Sequence, residues 1–310
     1  MVYNIEIKDL VKRFGGVTAV NGLNLRIREG EMAGLIGPDG AGKTTTLRIL
    51  CGLLRPDAGT CLVAGRDVMR DTASVRSVIG YMPQRFSLYP DLSVEENLRF
   101  FADLFRVEKT EREKRLARLL EFSRLGPFSK RRAAALSGGM KQKLALSCTL
   151  IHTPKILLLD EPTTGVDPVS RREFWDILGD LKAQGVTLLV TTPYMDEAAK
   201  CDRVALMDKG RLLHVDEPQA LSKRFRYTLL EMTCDDRSAA AKALSDSGHF
   251  LSVQAYGDRI HVSGEGTVEA LSRKAEAALS AKRLKASRMH AVRPGIEDVF
   301  VALLQDASGE

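Results

Sequence analysis

Short, unbroken apolar runs set the frame of the chain. Met32-Ala33-Gly34-Leu35-Ile36, Ile156-Leu157-Leu158-Leu159 and the stretch 186–192 each predict a buried strand. The second run has no alternation, so its strand is buried on both faces. Before them, residues 3–28 alternate polar with apolar (Ile5, Ile7, Leu10, Val20, Leu23, Leu25, Ile27), which predicts short antiparallel strands. Residues 59–65 read as strand and turn, and 78–84 as a strand ending at Gln84. From 93 to about 123 the period becomes helical, with Val94, Leu98, Phe101, Leu104, Phe105, Leu116, Leu119 and Leu120 on the apolar side. Charged residues fill the gaps and read as a solvated face. Further helices are predicted over 140–150, 171–184 and 195–201, and a hairpin at Lys209-Gly210.

Near Phe225 the character shifts. A strand over 227–234, a helix over 237–246 and a hairpin about Gly257-Asp258 come first. An Ala-rich helix over 267–280 and a strand over 284–290 complete a β-α-β-β-α-β order, which suggests a small ferredoxin-like domain. Residues 294–304 predict a terminal docking helix. The expected organisation is α/β over 1–224, with a helical subdomain at about 85–150, and a small α+β domain over 225–310. The three histidines of that second domain, His249, His261 and His290, are scattered in sequence and suggest no catalytic constellation.

Composition narrows the classes. A chain of 310 residues with 44% hydrophobic content can build two packed domains. The net charge of +6 comes from 46 basic and 40 acidic residues mixed along the chain, too balanced for a nucleic-acid footprint. The odd number of cysteines (51, 61, 148, 201, 234), without metal-ligand spacing, reads as reduced and cytosolic. No apolar run approaches a membrane span, and the opening Met-Val-Tyr-Asn-Ile-Glu does not read as a signal peptide.

The chemistry enters at Gly37-Pro38-Asp39-Gly40-Ala41-Gly42-Lys43-Thr44, a G-x-x-x-x-G-K-[ST] phosphate loop between a predicted strand and a helix that starts at Thr44-Thr45. Glycines let backbone N–H groups approach a polyphosphate, and the helix N-terminus adds partial positive charge. Lys43 is placed for the β- and γ-phosphates and the Thr44 hydroxyl for Mg²⁺. Asp160 and Glu161 stand at the carboxyl end of a buried strand, where open α/β sheets bind ligands. Asp160 suits the Mg²⁺ shell, and Glu161 can accept a proton from an attacking water. Ser137-Gly138-Gly139 opens a second helix N-terminus, with Ser137 as its cap. Phe14, before Gly15-Gly16, taken alone is a core residue.

In order, these elements resemble the ATP-binding subunit of an ATP-binding-cassette (ABC) transporter, over about residues 3–215. The resemblance implies a P-loop NTPase cassette with a RecA-like core and antiparallel β and helical subdomains. It makes Phe14 the aromatic that stacks on adenine, residues 37–45 the ATP cradle, and Gln84 the Q-loop residue that serves catalysis and Mg²⁺. Leu136–Gln142 resembles the family signature, with Met140 where glutamine is usual; Ser137, Gly138 and Gly139 are then ATP contacts. Asp160 and Glu161 match the Walker B pair, with Glu161, Lys43 and Gln84 catalytic and Thr44, Gln84 and Asp160 around the metal. Gly165-Val166-Asp167 matches the D-loop. The C-terminal domain resembles the extension on cassettes of ABC-2-type exporters, and the loop and signature resemble one cassette of tandem-type multidrug exporters.

The implied partners are ABC-2-type membrane permease subunits and a second cassette, on the inner face of the cell membrane, with no nucleic acid. Two cassettes would sandwich each ATP between one Walker A loop and the other's signature. Two departures stand out. Pro193 occupies the place of the histidine that contacts the γ-phosphate, and Asp39 stands where asparagine is common. Proline has no side-chain donor and no N–H. The competing functions are a non-transport ABC ATPase and a hydrolysis-poor nucleotide-binding regulator. Only one Walker A loop, and no sustained heptads between Walker A and Walker B, argue against the first.

Overall fold

In a computed structural model, residues 2–85 and 88–306 are described. Phe86 and Ser87 of the expected helical subdomain, Met1, and the last four residues of the expected second domain lie outside them. The chain forms two compact units, the first ending at Asp216 and the second beginning at Glu217. That division comes earlier than the composition shift near Phe225.

The alternating N-terminal stretch forms two long strands, β1 (Tyr3–Phe14) and β2 (Val17–Arg28), closed by a tight turn at Gly15-Gly16. They continue without a break where short strands are expected from the sequence. β3 (Met32–Ile36) is buried throughout and leads through the phosphate loop into α1 (Lys43–Leu50). β4 (Ala58–Val63) and β5 (Arg66–Asp67) then complete an antiparallel sheet in the order β2-β1-β4-β5. α2 (Thr72–Val78) and β6 (Ile79–Met82) follow.

The helical period from residue 93 divides into α3 (Val94–Leu104) and α4 (Lys109–Phe122). Ser93 and Glu96 cap α3 reciprocally, an arrangement in which a cap residue contributes about 1 kcal/mol. The helix ends because Arg106 turns left-handed, at a φ of 53°, while Val107 N–H returns to the Ala102 carbonyl. α5 (Gly138–Leu150), β7 (Ile156–Asp160), α6 (Pro168–Ala183), β8 (Thr187–Thr192), α7 (Met195–Ala198), β9 (Arg203–Asp208) and β10 (Arg211–Asp216) finish the unit.

The second sheet runs β10-β9-β3-β8-β7-β6; all its pairs are parallel except β10 on β9. β8 lies between β3 and β7, with Ile36 opposite Thr192 and Asp160 opposite Thr191. The carboxyl ends of these three strands therefore meet on one edge. One core joins the two sheets and α1, including Ile5, Ile27, Leu35, Leu47, Leu158 and Leu189.

The second unit contains α8 (Pro218–Lys223), β11 (Thr228–Cys234), α9 (Arg237–Asp246), β12 (Ser252–Tyr256), β13 (Arg259–Gly264), α10 (Val268–Ser280), β14 (Ala286–Ala291) and α11 (Ile296–Asp306). Its antiparallel sheet has the order β12-β13-β11-β14, as the ferredoxin-like reading requires. Met232, Ile260 and Val262 pack with Ala240, Leu244, Ala275 and Leu279 of α9 and α10.

Two histidines that are far apart in sequence meet here. Glu231 stands opposite both His261 and His290 across the sheet. His261 Nε2 lies 3.3 Å from Glu231 Oε2, and its Nδ1 lies 2.8 Å from Asp298 Oδ1 on α11. Arg259 also bonds Glu231, at 3.0 Å, and His290 lies 3.6 Å from it. The Asp298 hydrogen bond holds the His261 imidazolium above its ordinary pKa against the opposing effect of burial. A raised folded pKa adds stability that is complete below the unfolded value, about 6.5, and fades as pH climbs through the folded one. Protection factors of the α11 amides, which divide out the base catalysis of exchange itself, are therefore expected to be larger at pH 6 than at pH 8.5. His261→Gln should remove that difference, and an unchanged pH dependence in the variant would rule out His261 as its source.

Candidate nucleotide site

The phosphate loop is built from close backbone approaches. Gly42, the residue that caps α1, has a φ of 105°, and a Cβ there would lie 2.2 Å from the Ala19 carbonyl oxygen. A Cβ on Gly37 would lie 2.0 Å from the Met207 oxygen. Any side chain at either position would push the loop off β2 or β9. Ala41 N–H closes the turn onto the Pro38 carbonyl, and Gly210 N–H ties the loop to the β9–β10 turn. Lys43 is 4% exposed; its ammonium donates to the carbonyls of Gly37 (2.8 Å) and Pro38 (3.0 Å). It also lies 3.7 Å from Glu161 Oε1.

Strand order brings the carboxylates to this loop. Thr44 Oγ1 donates to Asp160 Oδ1 at 3.0 Å. Glu161 takes a left-handed backbone, at a φ of 48°, which is unusual for a residue with a side chain. Its Oε2 accepts from Gln84 Nε2 at 2.8 Å and from Thr164 Oγ1 at 3.3 Å. A cleft of about 440 Å³ is lined by Phe14, Ala19, Asp39, Gly40, Ala41, Gly42, Lys43, Thr44, Thr45, Gln84 and Glu161. Phe14 is 48% exposed on its rim, with the Lys12 ammonium 5.4 Å from the ring centroid, so it is no core residue.

The Thr44 hydroxyl, the Asp160 carboxylate and the Gln84 amide oxygen are hard oxygen donors, the class that Mg²⁺ takes. Among the described residues no group of three His, Cys, Asp or Glu could hold a metal.

Ser137, Gly138 and Gly139 stand apart from this cleft. Ser137 caps α5 by accepting from Met140 N–H at 3.3 Å, and it is exposed with Gly138. Gly139 packs on α6, where a Cβ would come within 2.4 Å of Ser170. Asp167 of the D-loop caps α6 through Val169 and Ser170 N–H. His152 is held elsewhere, stacked on Phe105 and bonded to the Ile79 carbonyl at 2.9 Å, and burial lowers its pKa.

The end of β8 and the segment after it carry Pro193, already marked from sequence, together with side-chain bonds that the sequence did not show. Pro193 is exposed. Thr192 Oγ1 donates to Glu197 Oε2 and accepts from Tyr194 N–H at 3.0 Å. Glu197, 2% exposed, also accepts from Thr163 Oγ1 at 2.7 Å, and Arg171 lies against it at 3.4 Å while covering the Tyr194 ring. The available signal was a pair of threonines ending an otherwise apolar buried strand.

Known proteins resemble this chain in sequence and in fold. The family model for the ABC transporter matches residues 20–164. The probable multidrug ABC transporter ATP-binding protein YbhF of Escherichia coli is 52% identical over 221 residues, which are 71% of this chain and 38% of YbhF. The chain thus spans well under half the length of that relative. The Nod factor export ATP-binding protein I of Ralstonia nicotianae is 36% identical, over 96% of this chain and 93% of its own. Among solved structures, the dimeric post-hydrolysis state of the ATP-binding cassette MJ0796, bound to ADP and Pi, matches with a TM-score of 0.62 at 27% identity. That match covers 69% of this chain and 98% of the cassette. With its phosphate loop and carboxylate pair on adjacent strand ends, the chain belongs to the ATP-binding proteins of ABC transporters, a family of ATPase cassettes.

Proposed function

We propose that this chain binds and hydrolyses Mg-ATP to drive an exporter through separate membrane subunits. The observation that carries the reading is the joining of loop and carboxylates, Thr44 to Asp160 and Gln84 to Glu161, around Lys43. Residues 37–45 cradle the phosphates, with Lys43 leaving its loop carbonyls for the β- and γ-oxygens. Phe14 packs on the adenine face. Thr44, Asp160 and Gln84 would hold Mg²⁺, which when bound would supply charge neutralisation on the transferring phosphoryl group. Glu161, steadied by Gln84 and Thr164, accepts the proton of the attacking water.

Ser137, Gly138 and Gly139 point to a second cassette as the other half of the site. Ser137 and Gly138 are exposed at a helix start away from this chain's own loop, with Gly139 packed on α6 behind them, and the similar MJ0796 cassette is dimeric. The membrane partner, of the ABC-2 type, fits the helical segment, where Tyr89, Phe100, Leu104 and Phe105 expose apolar surface. Among the described residues no helix is long and apolar enough to cross a membrane, so the chain would act on the inner face of the membrane through those partners. The second unit, which begins at Glu217, is then an accessory domain that lends no residue to the ATP site.

Pro193 favours one refinement, an asymmetric pair whose partner cassette carries the missing histidine; a hydrolysis-poor regulator is the reading if no such partner exists. The purified chain is expected to bind a fluorescent ATP analogue at micromolar concentrations with Mg²⁺, and to co-purify with integral membrane proteins from detergent extracts of its source cells. Absence of nucleotide binding would overturn the ATPase reading, and nucleotide binding without any membrane companion would overturn the exporter one.

A further inference from the structure

Thr191 does more than end a strand. It is fully buried, and its single hydroxyl touches both members of the carboxylate pair. The hydroxyl donates to Asp160 Oδ1 at 2.9 Å and accepts from Glu161 N–H at 2.9 Å. The same Glu161 N–H also lies 3.1 Å from the Thr191 carbonyl. Asp160 and Glu161 are themselves buried, at 1% and 7% exposure. We propose that Thr191 is the positioning residue of the carboxylate pair, fixing which oxygen of Asp160 faces the cation and how Glu161 leaves the strand. The inference rests on the Mg-ATP reading of this site.

The physical argument turns on which bonds can persist. Asp160 Oδ1 accepts two hydroxyls, from Thr44 and from Thr191, and among the described residues no hydrogen bond reaches its Oδ2. Thr44 stands in the cleft wall and is the hydroxyl the site would give up to a cation. Thr191 does not line the cleft and has no phosphate or ion to turn toward. Its bond to Oδ1 is therefore the one that keeps the carboxylate from rotating when Thr44 leaves. The hydroxyl's second bond adds to that of the Thr191 carbonyl in holding the Glu161 N–H, and so steadies the left-handed backbone from which the Glu161 side chain leaves the strand. A neutral hydroxyl suits both tasks, because one proton and one lone pair serve two neighbours without adding charge beside the carboxylates.

The test is Thr191→Val, which keeps shape and β-branching but loses the hydroxyl, alongside Thr191→Ser, which restores it. Binding of a fluorescent ATP analogue is titrated with Mg²⁺ and, separately, in EDTA. In Thr191→Val the Mg²⁺-dependent gain in affinity should shrink about tenfold, the size expected for one hydrogen bond to a charged group. Binding in EDTA should stay within about twofold, and any measurable turnover should fall in kcat more than in KM. Thr191→Ser should recover both. An unchanged Mg²⁺ titration in folded Thr191→Val would overturn the proposal. So would a loss of the same size in EDTA, or one that serine does not repair. A wild-type chain that binds no Mg-ATP would instead sink the functional reading on which the inference stands.

Discussion

Lys43→Ala is expected to abolish nucleotide binding at micromolar concentrations while leaving the fold intact. The ammonium is almost fully buried, and its contacts are two loop carbonyls and the Glu161 carboxylate. Among the described residues it is the one cation lining the cleft wall. Its loss removes charge-assisted bonds to a polyphosphate, each contributing about 1.5–3 kcal/mol, so affinity should drop by at least about a hundredfold. The fold should tolerate the change for a local reason. Lys43 is the first residue of α1, alanine is the best helix former, and the aliphatic core under the loop is built by Leu47, Ile49 and Leu50. Calorimetric titration with Mg-ATP, beside a circular-dichroism melt, checks both halves. Unchanged ATP affinity in a folded Lys43→Ala chain would remove the basis of the ATP reading.

That prediction was available from sequence because the loop needs particular residue types at fixed spacing. Gly37 and Gly42 lie where a Cβ would strike the Met207 and Ala19 carbonyl oxygens, so spacing encodes a contact. β3 and the apolar run of β7 that leads to Asp160 were equally legible, since burial on both faces erases alternation. Other features depend on partners that periodicity does not record. The helical stretch from residue 93 breaks at Arg106, a non-glycine in the left-handed region, so no turn residue marks the end of α3. The histidines looked unrelated because His261 and His290 come together only through Glu231 on the strand between theirs. Thr191 reads as strand until the order β3-β8-β7 sets it beside Asp160. Phe14 carried two readings, and its exposure on the cleft rim sets aside the core one.

Pro193→His should raise ATP hydrolysis by the isolated chain roughly a hundredfold. A donor that stabilises charge developing on the γ-phosphate contributes about 3 kcal/mol to the transition state, and that is the term a proline cannot supply. The adjacent hydroxyl cannot replace it. Thr192 has its one proton committed to Glu197, and Tyr194 N–H occupies a lone pair of the same oxygen. The segment is nonetheless well held, because Glu197 ties it to Thr163 and Arg171 packs on Tyr194. A histidine would enter an exposed position on a fixed backbone, with no core to repack. The wild-type chain alone should therefore bind ATP and turn it over slowly. Mixed with a second cassette that keeps its histidine, it should contribute Ser137, Gly138 and Gly139 to the faster site, and Pro193→His should then add little. Steady-state ATPase rates of the wild-type and Pro193→His chains, each measured alone and with candidate partners, decide the matter. Robust turnover by the isolated wild-type chain, unaffected by Pro193→His, would sink the asymmetric pair.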